Sequence, residues 1–267
     1  MRTVFYLLLV CLTAKTDLLR GQLPDSAVWD VQAQWLEVDR LQNVYLIDDN
    51  NSVRKWTSQG PSPFLYTNQE LGTLQQFDVT DPFNLLLYYP DFMTAVQLDR
   101  TLNERSRLSF PELGLPQVDC IAKSRDNQIW AYDGLGYRLL KLNAQGAILA
   151  ESQNLSLLPQ GAPSRVEQLF AAGNYVYLYD AQRGVLLFDA FGQYISTVAL
   201  PGKRAIQTLG NRLVLRDHQD LIVVSGRGQQ ETVILAAKIP AASTVRLTRS
   251  HILYLHQQQL HIKRRNH

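Results

Sequence analysis

Short runs of four to six mostly apolar residues recur along the chain and stop at a polar or turn-forming residue. The best formed are Val44-Tyr45-Leu46-Ile47-Asp48, Ile129-Trp130-Ala131-Tyr132-Asp133, Val176-Tyr177-Leu178-Tyr179-Asp180 and Leu213-Val214-Leu215-Arg216-Asp217. Two weaker copies, Leu85 to Tyr89 and Ile252 to His256, end on Tyr and His instead of Asp. Runs this short, rich in branched and aromatic residues and bounded by turn formers, predict strands rather than helices.

The copies end at residues 48, 89, 133, 180, 217 and 256, so they repeat every 37 to 47 residues. A four-stranded sheet with its turns needs roughly 40 to 50 residues, and repetition at that period predicts a ring of blades. Each copy is followed by a second strand and then a turn. In four copies that turn closes on glycine, at Gly60, Gly146, Gly192 and Gly228. A glycine at one fixed place in a hairpin predicts a positive φ there. The strand-ending Asp48, Asp133, Asp180 and Asp217 are read as structural, each carboxylate accepting backbone N–H groups of the turn it opens. The last repeat runs out of chain after Lys263, and Ala27 to Val31 is expected to supply its missing outer strand. The fold expected is all-β: a six-bladed β-propeller of four-stranded antiparallel blades, closed by pairing the N- and C-terminal strands, which removes exposed sheet edges.

The sequence of strand, Asp, short polar turn, second strand and glycine turn resembles the NHL-type and six-bladed propellers of exported bacterial proteins. Val44 to Gly60 and Ile129 to Gly146 carry the resemblance best. It implies the fold and leaves the function open, because propellers host binding, scaffolding and catalysis alike.

The amino end differs in kind. Arg2 followed by the apolar run Val4 to Leu12 is too short to span a bilayer and fits a secretory signal peptide. Residues 1–21 are therefore expected to be removed, leaving a single propeller domain over 22–267 with no transmembrane span. Removal takes Arg2, Lys15 and Arg20 from 26 basic residues and Asp17 from 24 acidic ones, leaving 23 of each. A formally neutral chain has no general attraction for a phosphate backbone, so nucleic acid is not an expected partner. Cys120 would remain alone, so no intramolecular disulfide can form.

Candidate chemistry is sparse. The chain has no glycine-rich phosphate loop, no HExxH and no CxxC, so neither catalytic residues nor a cofactor are assigned. His251, His256 and His261 fall in the last repeat, but residues five apart on a strand start on opposite faces, which disfavours a shared metal. Glu37, Asp78, Asp119 and Glu167 lie on or near expected inner strands and are read as polar groups lining the central channel. In the repeat, Glu37 stands level with Asp78, and Ala122 occupies that level in blade three. Tyr89, Phe92, Tyr137 and Arg183 fall at corresponding turns and are read as a partner-binding rim, since aromatic and Arg side chains dominate binding hot spots. The function expected is a non-enzymatic binding or scaffold protein with a protein partner in the cell envelope, periplasmic or outer-membrane-associated in a Gram-negative bacterium. The alternatives are a lactonase-like hydrolase, implied by the resemblance, with a divalent ion in the channel, and a sugar or peptide binder.

Overall fold

The computed structural model describes residues 23–200, 202–218, 220–225, 230–231, 239–240 and 244–265. Six four-stranded antiparallel sheets follow one another along the chain and close into a propeller ring. Blade one is Trp35–Val38, Val44–Ile47, Val53–Thr57 and Gly60–Tyr66, numbered here from the channel outwards. Blade two is Gln76–Asp78, Leu85–Tyr89, Thr94–Leu98 and Glu104–Ser109. Blade three is Val118–Lys123, Ile129–Asp133, Arg138–Leu142 and Ile148–Glu151, and blade four is Val166–Ala172, Tyr175–Asp180, Gly184–Asp189 and Tyr194–Ala199. Blade five is Arg204–Leu209, Arg212–Asp217, Asp220–Ser225 and Gln230–Glu231. Blade six takes Thr244–Leu247, His251–His256 and Gln259–Arg264 from the carboxyl end and Ser26–Asp30 from the amino end.

The repeating runs are the second strands. Those of blades one, two and three are buried at every position, because each lies in the middle of a sheet covered by a neighbouring blade on both sides. Apolar clusters fill the seams: Tyr45, Ile47 and Val53 meet Phe77, Leu85 and Leu87 between blades one and two, and Trp130 and Leu139 meet Val176 and Phe188 between three and four. Burying a side chain of this size contributes roughly 1.5–3 kcal/mol.

Closure follows the expected logic one residue early, with Ser26 opposite Lys263 and Asp30 opposite Gln259. The Gln258 carbonyl accepts Val31 N–H at 2.9 Å, and its side-chain Oε1 accepts Ala33 N–H at 3.1 Å. Gln257 and Gln258 both take positive φ, +49° and +59°, as a tight two-residue hairpin requires. Trp29 stacks on Trp56 of blade one with ring centroids 5.4 Å apart, covering the seam between blade six and blade one.

The turns divide between two faces. Those joining first to second and third to fourth strands open on one face, here the lower; those joining second to third strands open on the other, the upper. One loop design recurs at 39–43, 99–103, 124–128, 143–147 and 189–193 on the lower face and at 48–52 on the upper. The first residue donates its N–H to the fifth residue's carbonyl, and the fourth donates back to the first. The fourth residue is left-handed, and it is Gln42, Leu102, Asn127, Gly146, Gly192 or Asn51. Gly60, in a tighter turn, also has a positive φ, of +109°. Gly228 lies outside the described residues, as do the signal-peptide segment and Cys11.

Candidate functional site: the central channel and the upper face

Inner strands of all six blades surround a channel of about 680 Å³. Pairing with the second residue of each repeating run defines one level around it: Glu37, Asp78, Ala122, Phe170, Gln207 and Arg246 lie opposite Tyr45, Leu86, Trp130, Tyr177, Val214 and Leu253. Glu37 accepts the Arg246 guanidinium on both oxygens and Trp35 Nε1–H at 3.1 Å. Burial pushes the Glu37 carboxyl above its ordinary value, while Arg246 pulls it down. Asp78 accepts Thr80 N–H at 2.9 Å and reaches the next blade to accept Lys123 N–H at 2.8 Å. Gln207 does the same between blades five and six, accepting Leu247 N–H and donating to its carbonyl. These polar groups stitch one blade to the next.

Asp119 and Glu167 are elsewhere. The inner strands of blades three and four each carry a bulge, between Val118 and Cys120 and between Val166 and Gln168, which puts both acids outside the ladder. Neither lines the channel. Asp119 accepts Gln117 Nε2–H at 3.1 Å and sits so close to Gly134 that a Cβ there would fall 2.2 Å from its Oδ2. Glu167 pairs with Arg165 at 3.0 Å on the surface. Reading these two as channel-lining is corrected: an unbroken two-residue period cannot register an extra residue. Among the described residues no three His, Cys, Asp or Glu side chains converge as a metal site would need. Cys120 is a free, buried thiol whose pKa burial raises well above the ordinary value, so it is a poor nucleophile.

The turn aspartates take different partners. Asp48 accepts N–H from Asn50 and Ser52 at 2.9 and 3.0 Å. Asp133 accepts Gly136 N–H and pairs with Arg138, both at 2.9 Å. Asp180 is fully buried and accepts four backbone N–H groups, from Ser164, Arg165, Gln182 and Arg183. Burial acts to raise its pKa, but these amides prevail and lower it. The Asp217 carboxylate, among the described residues, meets the side chains of Lys203 and His218.

The four rim residues also separate. Phe92 is 57% exposed and Tyr137 40% exposed. Arg183 is half-buried and donates to the Gly161 carbonyl at 2.8 Å, bracing the passage between blades three and four. Tyr89 is corrected: it is wholly buried between blades one and two, because the strand runs through it before turning at Pro90. The sequence reading passed over Leu135 and Leu157, exposed at 63% and 80%. The Pro90–Phe92 turn lies against the inner strand of blade three, Gly134 N–H bonds the Gln117 carbonyl beside that strand's start, and Leu155 N–H bonds the Tyr137 carbonyl. Phe92, Leu135, Tyr137 and Leu157 thus occupy adjoining turns across blades two to four. In the last blade His251 is buried against Ser250, and His261 stacks on Tyr254 at 4.6 Å.

No family model matches the chain, and no curated protein does. Among solved structures it is similar to a catalytically inactive virginiamycin B lyase from Staphylococcus aureus with quinupristin, at 10% identity and a TM-score of 0.63, over 89% of this chain and 98% of that one. A streptogramin B lyase matches at 12% identity and TM-score 0.56, over 92% and 85%. Sqt1 of Saccharomyces cerevisiae matches at 11% and 0.53, over 87% and 72%. What they share is the propeller fold. At these identities nothing of their activity transfers, and the NHL-type resemblance rests on the residue pattern alone.

Proposed function

We propose that this chain is a non-enzymatic scaffold of the bacterial cell envelope that docks a protein partner on its upper face, across blades two to four. The observation that carries the reading is the run of exposed Phe92, Leu135, Tyr137 and Leu157 on adjoining turns. Aromatic and large apolar groups that gain nothing from the fold are the usual anchors of an interface. The carboxylates that a hydrolase would draw on are committed elsewhere: Glu37 to Arg246, Asp78 to backbone amides, Glu167 to Arg165. The envelope setting is proposed from the apolar Val4 to Leu12 run, and amino-terminal sequencing of exported material should begin at Gln22. Co-purification from native membranes in mild detergent, comparing wild type with a Phe92→Asp, Tyr137→Asp double variant, tests the docking face. The partner should be lost from the variant at unchanged melting temperature. Retention of every partner would refute the reading.

A further inference from the structure

The channel is lined by five arginines, Arg40, Arg204, Arg216, Arg246 and Arg249, against three acids, Glu37, Asp39 and Asp78. All three acids are occupied within the fold. Arg246 and Trp35 hold Glu37; Asp39 accepts the Leu41 and Asn43 amides, Asn43 Nδ2–H and the Tyr45 hydroxyl; Asp78 accepts the Thr80 and Lys123 amides. The cations gather on one wall. Arg204 and Arg216 stand directly opposite each other on the first two strands of blade five, near the upper mouth. Arg216 is fixed by donating to the His218 and Pro240 carbonyls at 2.8 and 2.7 Å. Its guanidinium is held below its ordinary pKa, by burial first and then by the neighbouring charge of Arg204.

Arg204 itself is exposed at the channel mouth, and its side chain makes no hydrogen bond or ion pair among the described residues. Two nearby carboxylates are already engaged, Glu167 by Arg165 and Asp217 by Lys203 with His218. An anion at Arg204 would also feel the charge of Arg216 alongside. The planar donor fork of Arg204 matches a carboxylate or phosphate in two-point fashion, and Arg216 adds its charge beside it. Gln168 and Phe170 of blade four line the same channel and would offer an amide and an apolar ring to the remainder of a ligand.

We propose that the upper mouth of the channel binds a small oxyanion, carboxylate or phosphate, through Arg204 with Arg216 beside it. This site is independent of the apolar docking face, and either can fail without the other. The test uses the purified full chain, titrated with inorganic phosphate and separately with succinate, each against sodium chloride at equal ionic strength, with the melting temperature as readout. A ligand selective for the folded state raises that temperature saturably. A saturable rise is expected with at least one oxyanion and none with chloride, and the responsive arm names the headgroup chemistry. Arg204→Ala should weaken the apparent affinity about tenfold, the loss of one charge-assisted contact. Arg204→Glu should abolish it, and Arg249→Ala at the lower end should leave it intact. No rise above chloride for either oxyanion, a rise that survives Arg204→Glu, or an equal loss in Arg249→Ala would overturn the proposal.

Discussion

The two faces of the ring are built differently. On the lower face one five-residue loop recurs five times, and each copy satisfies its own polar groups: Asp39, Asp99, Asn143 and Asp189 accept the amides two and four residues on, and Ser124 opens the fifth copy. On the upper face only the 48–52 turn keeps that design. Blade two substitutes a one-turn 3-10 helix at Pro90–Phe92, blade three a turn with Tyr137 in the left-handed region, and blades five and six two-residue hairpins. Apolar side chains also protrude below, at Leu41, Phe83 and Phe191, but in separate loops of blades one, two and four. A repeated loop answers the needs of the fold. Varied turns carrying adjoining apolar groups are not needed by the fold in the same way, and this contrast is why the proposed docking face lies above.

The largest effect that separates the faces should come from Asp180→Ala. Asp180 ties the turn of blade four to the segment entering it, and its removal leaves several buried amides without acceptors, each worth roughly 1–3 kcal/mol. Urea denaturation should show a loss of about 3 kcal/mol or more, whereas Asp189→Ala in an exposed lower loop should cost about 1 kcal/mol. Equal losses would mean that the two faces share one structural logic.

Leu102→Gly sharpens the account of the lower loops. Leu102 is left-handed where two other copies have glycine, so glycine would relieve about 1 kcal/mol of backbone strain. The Leu102 side chain, however, is buried in the cluster between blades one and two, and its loss costs about 2–5 kcal/mol. A net loss of about 2 kcal/mol is expected by denaturation. A stabilised variant would show that the loop, not the core, sets this residue.

The smallest effect is in acid. Asp99 feels some burial, which acts to raise its pKa, but hydrogen bonds from Thr101 and Asn103 outweigh it and hold the carboxyl at about 2. With the folded value depressed, this contribution to stability is present above the ordinary carboxylate range and is lost as pH falls toward 2. Asp99→Asn keeps the amide acceptor, as Asn143 does in blade three, so it should leave neutral stability near wild type and flatten the decline between about pH 4 and 2. An unchanged acid profile would contradict that role.

The ring was legible in the sequence because its second strands are the most buried part of each blade and carry the most regular residues. Closure was legible because the last repeat lacks a strand. The bulges were not: Asp119 and Glu167 look like inner-strand residues to any reading that assumes an unbroken period. Tyr89 looked like a turn aromatic because the usual strand-ending Asp is replaced there. The Glu37–Arg246 pair spans 209 positions and escaped notice, although aligning the repeats at the Glu37 level places Arg246 in the same ring. Exposed Leu135 and Leu157 carry no local signal, since whether a leucine in a turn packs inward depends on the neighbouring blade.

Site-specific photo-crosslinking in the cells that make the protein compares the faces most directly. A photoreactive side chain at Phe92 or Tyr137 should give a discrete protein adduct, and the same group at Phe83 or Phe191 should give none. Adducts of equal yield from both faces, or none from Phe92 and Tyr137, would contradict the assignment of the upper face as the docking surface.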